Sequence, residues 1–143
     1  MTLIIALLVF LPLLTVSFAH LLWGLGTSWP IQSQELLART VIGRPGVTRM
    51  PNRLLTLLVA VLLFAASIIA FGLADKTDGG ATRTVLGALL AALFLARGIA
   101  GYTPQWRARF PVEPFATLDR KNYSPLCLWI GAGFLILVLM RLL

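Results

Sequence analysis

The sequence predicts an all-α fold, an integral membrane bundle of four transmembrane helices forming a single membrane domain over residues 1–143. Three observations carry that reading. Of 143 residues, 59% are hydrophobic and only 12% charged, with mean hydropathy +0.91, which leaves too little polar surface to cover a soluble globule of this size. The chain also contains four apolar runs near the length of a bilayer crossing, since about 20 residues rising ~1.5 Å each span a hydrocarbon core ~30 Å thick. Finally, most of the basic residues collect between these runs.

The first run, residues 3–23, carries no charge and contains Pro12, which a membrane helix tolerates when a neighbour satisfies the freed carbonyl. "SFA" at 17–19 resembles a signal-peptidase site. However, the preceding "MT" has no Lys or Arg and the apolar run continues to Trp23, so a retained helix is expected. The next stretch, "SQELLARTVIG", has a polar start, an apolar side of Leu36, Leu37 and Val41, and Gly43 as a stop. It predicts a short interfacial helix over 33–42, approached past Trp23 and Trp29. "GRPGV" and "MPNR" read as turns. Residues 54–74 are the clearest span, and "DKTDGGATR" follows as a tight polar turn. The third span, 84–102, is interrupted only by Arg97. The loop after it is rich in proline and aromatic residues, a composition suited to lying on the membrane surface or covering a site. "YSP" then predicts the start of the fourth span, 125–143, with the Ser124 hydroxyl capping a backbone NH, Pro125 at the first helical position and Tyr123 at headgroup level.

Charge sets the orientation. Arg39, Arg44, Arg49 and Arg53 in the first loop and Arg107, Arg109, Arg120 and Lys121 in the third outweigh Lys76, Arg83 and Arg141 on the other side. The positive-inside rule therefore places loops 24–53 and 103–124 in the cytoplasm and both termini outside. The basic residues are not interleaved with aromatics in one block, so anionic lipid headgroups, and not nucleic acid, are the expected polyanion. One cysteine, Cys127, excludes an internal disulfide and a CxxC site and reads as a small packing residue. With one histidine, His20, no metal centre is expected, and no cofactor. Metalloprotease, nucleotide-loop, nucleophile-elbow and bis-His haem patterns are absent from the sequence.

Helices in lipid associate through close approach at small residues. Ala88, Ala92, Ala96 and Ala100 recur every four residues in the third span, as Ala66, Ala70 and Ala74 do in the second; with Gly131 and Gly133 these are the expected internal seams, although the same stripes suit a homodimer.

Polar residues gather at the cytoplasmic border. Ser17, His20, Trp23 and Gly24 fall on one helical face. Arg97 lies more than a turn inside its span, where a charge is costly and is snorkelling, paired or functional. His20, Trp23, Arg97, Asp119 and Tyr123 form the candidate ligand-binding site. The competing reading has Arg97 reaching lipid phosphate, His20 bonded to a carbonyl and Asp119 capping its loop.

"HLLWGLGTSWP" (20–30), "VIG" (41–43), "ARGIAGY" (96–102) and "FATLDRKNYSPLCLWIGAGF" (115–134) resemble the signatures of a bacterial family of small four-helix integral membrane proteins known only as a domain of unknown function. The resemblance covers nearly the whole chain and implies a four-span fold. It also implies a shared pattern containing His20, Trp23, Trp29, Pro30, Arg97, Asp119, Tyr123, Ser124, Pro125 and Cys127. It implies no activity, so whether the chain is an enzyme stays open. Three functions remain. The first is binding of a lipid-like or isoprenoid- or quinone-like molecule at the cytoplasmic interface; the second is an accessory or assembly subunit of a larger membrane complex. A small dimeric transporter ranks last, because no acidic residue lies mid-span to couple ions.

Overall fold

The computed structural model describes residues 1–75 and 80–143, so the centre of the expected turn after the second span, including Lys76, lies outside the described residues. Four helices are long and apolar enough to cross a membrane. They are α1 (Thr2–Gly24), α3 (Arg53–Leu73), α4 (Gly80–Ala100) and the helix ending in α7 (Ser124–Leu142). The shorter α2 (Gln34–Val41), α5 (Pro104–Arg109) and α6 (Phe115–Leu118) lie in the two long loops, and no strand occurs among the described residues.

The bundle is two tight pairs, α1 on α3 and α4 on α7, joined mainly by α1 against α7 and α3 against α4. Ala6, Val9 and Leu13 of α1, Ala66, Ala70 and Leu73 of α3, Ala91 of α4, and Ile130, Phe134, Leu137 and Val138 of α7 form the core. Lipid tails are as apolar as these side chains, so close fit has to hold the helices together. Between α4 and α7 the fit brings side chains onto backbone. A Cβ on Gly98 would lie 2.9 Å from the Leu128 nitrogen, and one on Gly131 would lie 2.8 Å from the Leu95 nitrogen. Between α1 and α3, the Ser17 hydroxyl donates to the Ala60 carbonyl at 2.8 Å.

The seam on α4 differs from the expected one. Ala88, Ala92 and Ala96 face outward, and the buried row is Gly87, Ala91 and Gly98. Small residues occupy both rows, and the partners decide between them: Leu73 and Val138 fill the space above Gly87, and Leu128 that above Gly98. The α3 row follows expectation, with Ala66 and Ala70 buried, and so do Gly131 and Gly133.

Pro12 sits inside α1, and having no NH it leaves the Leu8 carbonyl without its helical partner. Trp129 of α7 supplies the missing donor, its indole Nε1 lying 3.1 Å from that oxygen.

The fourth span does not begin at a capped Ser124. The chain enters it through α6 and a π-helical turn, Asp119–Tyr123, in which the Ser124 NH bonds to the Asp119 carbonyl five residues back, and the Ser124 side chain makes no cap. Pro125 offers no NH and its ring crowds the carbonyl four residues back, so a widened turn before it lets the helix continue.

The first and third loops interlock at one end of the bundle. Tyr123 Oη donates to the Thr40 carbonyl at 3.2 Å, the Val112 NH to the Gly43 carbonyl at 3.2 Å, and Arg39 to the Glu113 carbonyl at 3.2 Å. Along the third loop Trp106, Phe110, Phe115 and Tyr123 form a run of aromatic contacts with successive centroids 4.4, 5.9 and 5.9 Å apart. At the opposite end Arg141 donates to the Asp75 carbonyl and Arg83 to that of Gly72.

Candidate functional site

Arg97 occupies the last turn of α4, with its side chain 28% exposed. The π-turn brings Asp119 beneath it, 3% exposed, and Arg97 Nη2 donates to Asp119 Oδ1 at 2.5 Å. Trp106 Nε1 donates to the second carboxylate oxygen at 3.0 Å, and its ring lies 4.3 Å from the guanidinium carbon. Arg97 Nη1 also reaches Ser124 Oγ at 3.4 Å. Trp106 is held in place because the Thr103 hydroxyl accepts its backbone NH, which caps α5. Gly101 provides the room: a Cβ there would fall 1.8 Å from Ser124 Oγ and 3.0 Å from Asp119 Oδ2.

This cluster resolves an electrostatic problem inside the fold. An isolated charge at this depth is costly, and a pair is tolerated when its remaining hydrogen-bond sites are filled. Both Asp119 oxygens have donors, and the guanidinium stacks on an indole face, the most favourable aromatic partner for a cation. The result joins α4, α5 and the π-turn into one unit. With its charge matched at 2.5 Å by Asp119, Arg97 is a poor receptor for a further anion.

The five residues singled out from sequence fall into separate groups. Arg97 and Asp119 meet directly. Tyr123 lies on the same turn but directs its hydroxyl to Thr40 and its ring to Phe115. His20 Nδ1 is 2.9 Å from the Val16 carbonyl, a pairing that places the proton on Nδ1 because a carbonyl only accepts. The His20 ring lies 4.9 Å from that of Trp23, whose Nε1 donates to the Trp29 carbonyl at 2.9 Å. Among the described residues no hydrogen bond or ring contact links His20 or Trp23 to Arg97 or Asp119. Trp106, Ser124 and Gly101 complete the Arg97 cluster. The first gave no periodic or motif signal, and the second is read from sequence as a helix cap.

Clefts open at this same end. One, of about 410 Å³, is lined by Trp23, Gly26, Gln34, Arg49, Met50, Pro51 and Arg53. Another, of about 450 Å³, lies among Arg44, Thr103, Gln105, Trp106, Arg109 and Phe110, with the Arg44 and Arg109 guanidiniums 5.6 and 6.0 Å from the Phe110 centroid. Among the described residues no three His, Cys, Asp or Glu side chains gather to hold a metal ion.

Four helices long and apolar enough to cross a membrane, joined by arginine-lined loops at one end, define a multi-pass membrane protein. The chain belongs to the family described as protein of unknown function (DUF3995), whose sequence model matches residues 13–134, a stretch that takes in the whole Arg97 cluster. This agrees with the resemblance noted in the sequence. No curated protein and no solved structure matches the chain.

Proposed function

We propose that the protein resides in a bacterial inner membrane with both termini outside and binds a lipid-like or isoprenoid-like amphiphile with an anionic head at the cytoplasmic end. The observation that carries this reading is the charge left over at that end. The interlocked loops carry Arg39, Arg44, Arg49, Arg53, Arg107, Arg109, Arg120 and Lys121 against the acids Glu35, Glu113 and Asp119. Asp119 is matched by Arg97, and Glu113 accepts both the NH and the hydroxyl of Thr117. The loop arginines therefore keep donors for an external anion, which the cytoplasmic leaflet supplies as phosphate headgroups. Native mass spectrometry of the protein in mild detergent tests the reading: a stoichiometric anionic small molecule supports it, and a bare protein that also takes up no added anionic lipid refutes it.

A second reading, an accessory or assembly subunit of a larger membrane complex, has its own support in the outward row of Ala88, Ala92 and Ala96. Small residues on a lipid-facing surface permit another helix to approach closely. A stoichiometric co-purifying membrane protein that is lost on Ala92→Phe would favour this alternative.

A further inference from the structure

Within the proposed binding of an anionic amphiphile, on which this inference rests, we infer that the cleft between Arg49, Arg53, Gln34 and Trp23 is the site that receives a phosphate-bearing lipid head. Arg53 opens α3 and Arg49 lies in the turn before it, so the fold brings two guanidiniums into one cleft of about 410 Å³. Neither is paired with a carboxylate among the described residues. A planar guanidinium presents a fork of donors that matches phosphate oxygens two at a time.

The walls are fixed by bonds to backbone carbonyls. Gln34 Nε2 donates to the Gly26 carbonyl at 3.1 Å, and Trp23 Nε1 to the Trp29 carbonyl. What remains to meet a ligand is the two guanidiniums and the second N–H of the Gln34 amide. Gly26 has φ +99, and a Cβ there would sit 3.0 Å from Arg53 Nη2, so the guanidinium lies against bare backbone. The cleft also opens onto the N-terminus of α3, where Asn52 Oδ1 accepts the Leu54 NH, and this end of a helix favours negative charge.

Apolar surface beside the cleft selects a lipid over a free phosphate ion. Leu25, next to Gly26, is 63% exposed, and Leu54, next to Arg53, is 73% exposed. A head held by Arg49 and Arg53 would thus have its acyl or prenyl chain start along exposed leucine side chains.

The test uses the full chain in detergent titrated with phosphatidylglycerol and followed by native mass spectrometry, with Arg49→Gln/Arg53→Gln compared with Arg44→Gln/Arg109→Gln, which removes the same charge from the other cleft. Helix content by circular dichroism verifies folding, and the two single Gln variants carry the comparison if the first double variant loses it. The expected result is one tightly held lipid in the wild type, affinity lowered about tenfold or more in Arg49→Gln/Arg53→Gln, and a change under about twofold in Arg44→Gln/Arg109→Gln. Equal weakening in both double variants would overturn the site while leaving the broader reading intact. Absence of any stoichiometric lipid on the wild type would overturn both. Complete displacement of the lipid by millimolar inorganic phosphate would overturn the lipid assignment in favour of a soluble phosphate compound.

Discussion

Replacing Arg97 with Met keeps most of the side-chain volume and removes the charge, which leaves Asp119 at 3% exposure with the Trp106 indole as its remaining side-chain donor. Breaking a buried pair from one side costs about 3–5 kcal/mol. Because Arg97 itself retains 28% exposure, part of its interaction is already screened, and the lower figure of about 3 kcal/mol applies. For a chain of this length that corresponds to a fall in unfolding midpoint on the order of 10 °C. Asp119→Asn should cost less than Arg97→Met, because its amide oxygen still accepts a hydrogen bond and no bare carboxylate is stranded. In the double variant the penalty should fall well short of the sum, since the second change removes the group that the first one orphaned. The assay is thermal unfolding in a single detergent, followed by circular dichroism, for the wild type, both single variants and the double variant. Additive effects, or an Arg97→Met shift within about 2 °C of zero, would refute the claim that the pair holds this end of the bundle.

Gly101→Ala should lower thermal stability by about 1–3 kcal/mol, because the new methyl meets Ser124 Oγ at 1.8 Å, and adding Ser124→Gly should recover part of the loss; an unchanged midpoint for Gly101→Ala contradicts the geometry. Trp129→Phe should cost about 1 kcal/mol by removing the donor to the Leu8 carbonyl, and less in a Pro12→Ala background where the backbone supplies its own NH; equal cost in both backgrounds would show that the bond is unimportant. Ala91→Phe should destabilise the bundle by overpacking, whereas the neighbouring Ala92→Phe should leave the monomer's midpoint nearly unchanged, and the reverse order would restore the alanine row as the internal seam.

The four spans were legible because a bilayer imposes length and hydropathy on whatever crosses it. The choice of face was less so. On α4 the row at Ala88, Ala92 and Ala96 and the row at Gly87, Ala91 and Gly98 are both small, and no pattern internal to the helix shows that Leu73, Val138 and Leu128 approach only the second. Arg97 and Asp119 stood out as charges near apolar runs, yet their pairing depends on a π-turn set by Pro125, which in sequence resembles a helix start. The grouping of Ser17, His20, Trp23 and Gly24 on one face of α1 was a correct inference about periodicity. Ser17 and Gly24 are buried against α3 there, and His20 and Trp23 bond within their own segment, so shared spacing marked a packing face and did not bring them to Arg97.

The clasp between the first and third loops bears on how the chain acquires its topology. Each half of the clasp belongs to a different helical hairpin, α1 with α3 and α4 with α7, and each hairpin carries enough apolar length to enter the bilayer by itself. The bonds from Tyr123 to Thr40, Val112 to Gly43 and Arg39 to Glu113 form only when both hairpins have inserted with the same handedness relative to the membrane. A chain whose second hairpin entered inverted would hold the two halves on opposite sides of the lipid, with those bonds unmade and the aromatic run of the third loop exposed. The clasp thus adds its stabilisation only to a molecule whose two hairpins carry their connecting loops on the same side.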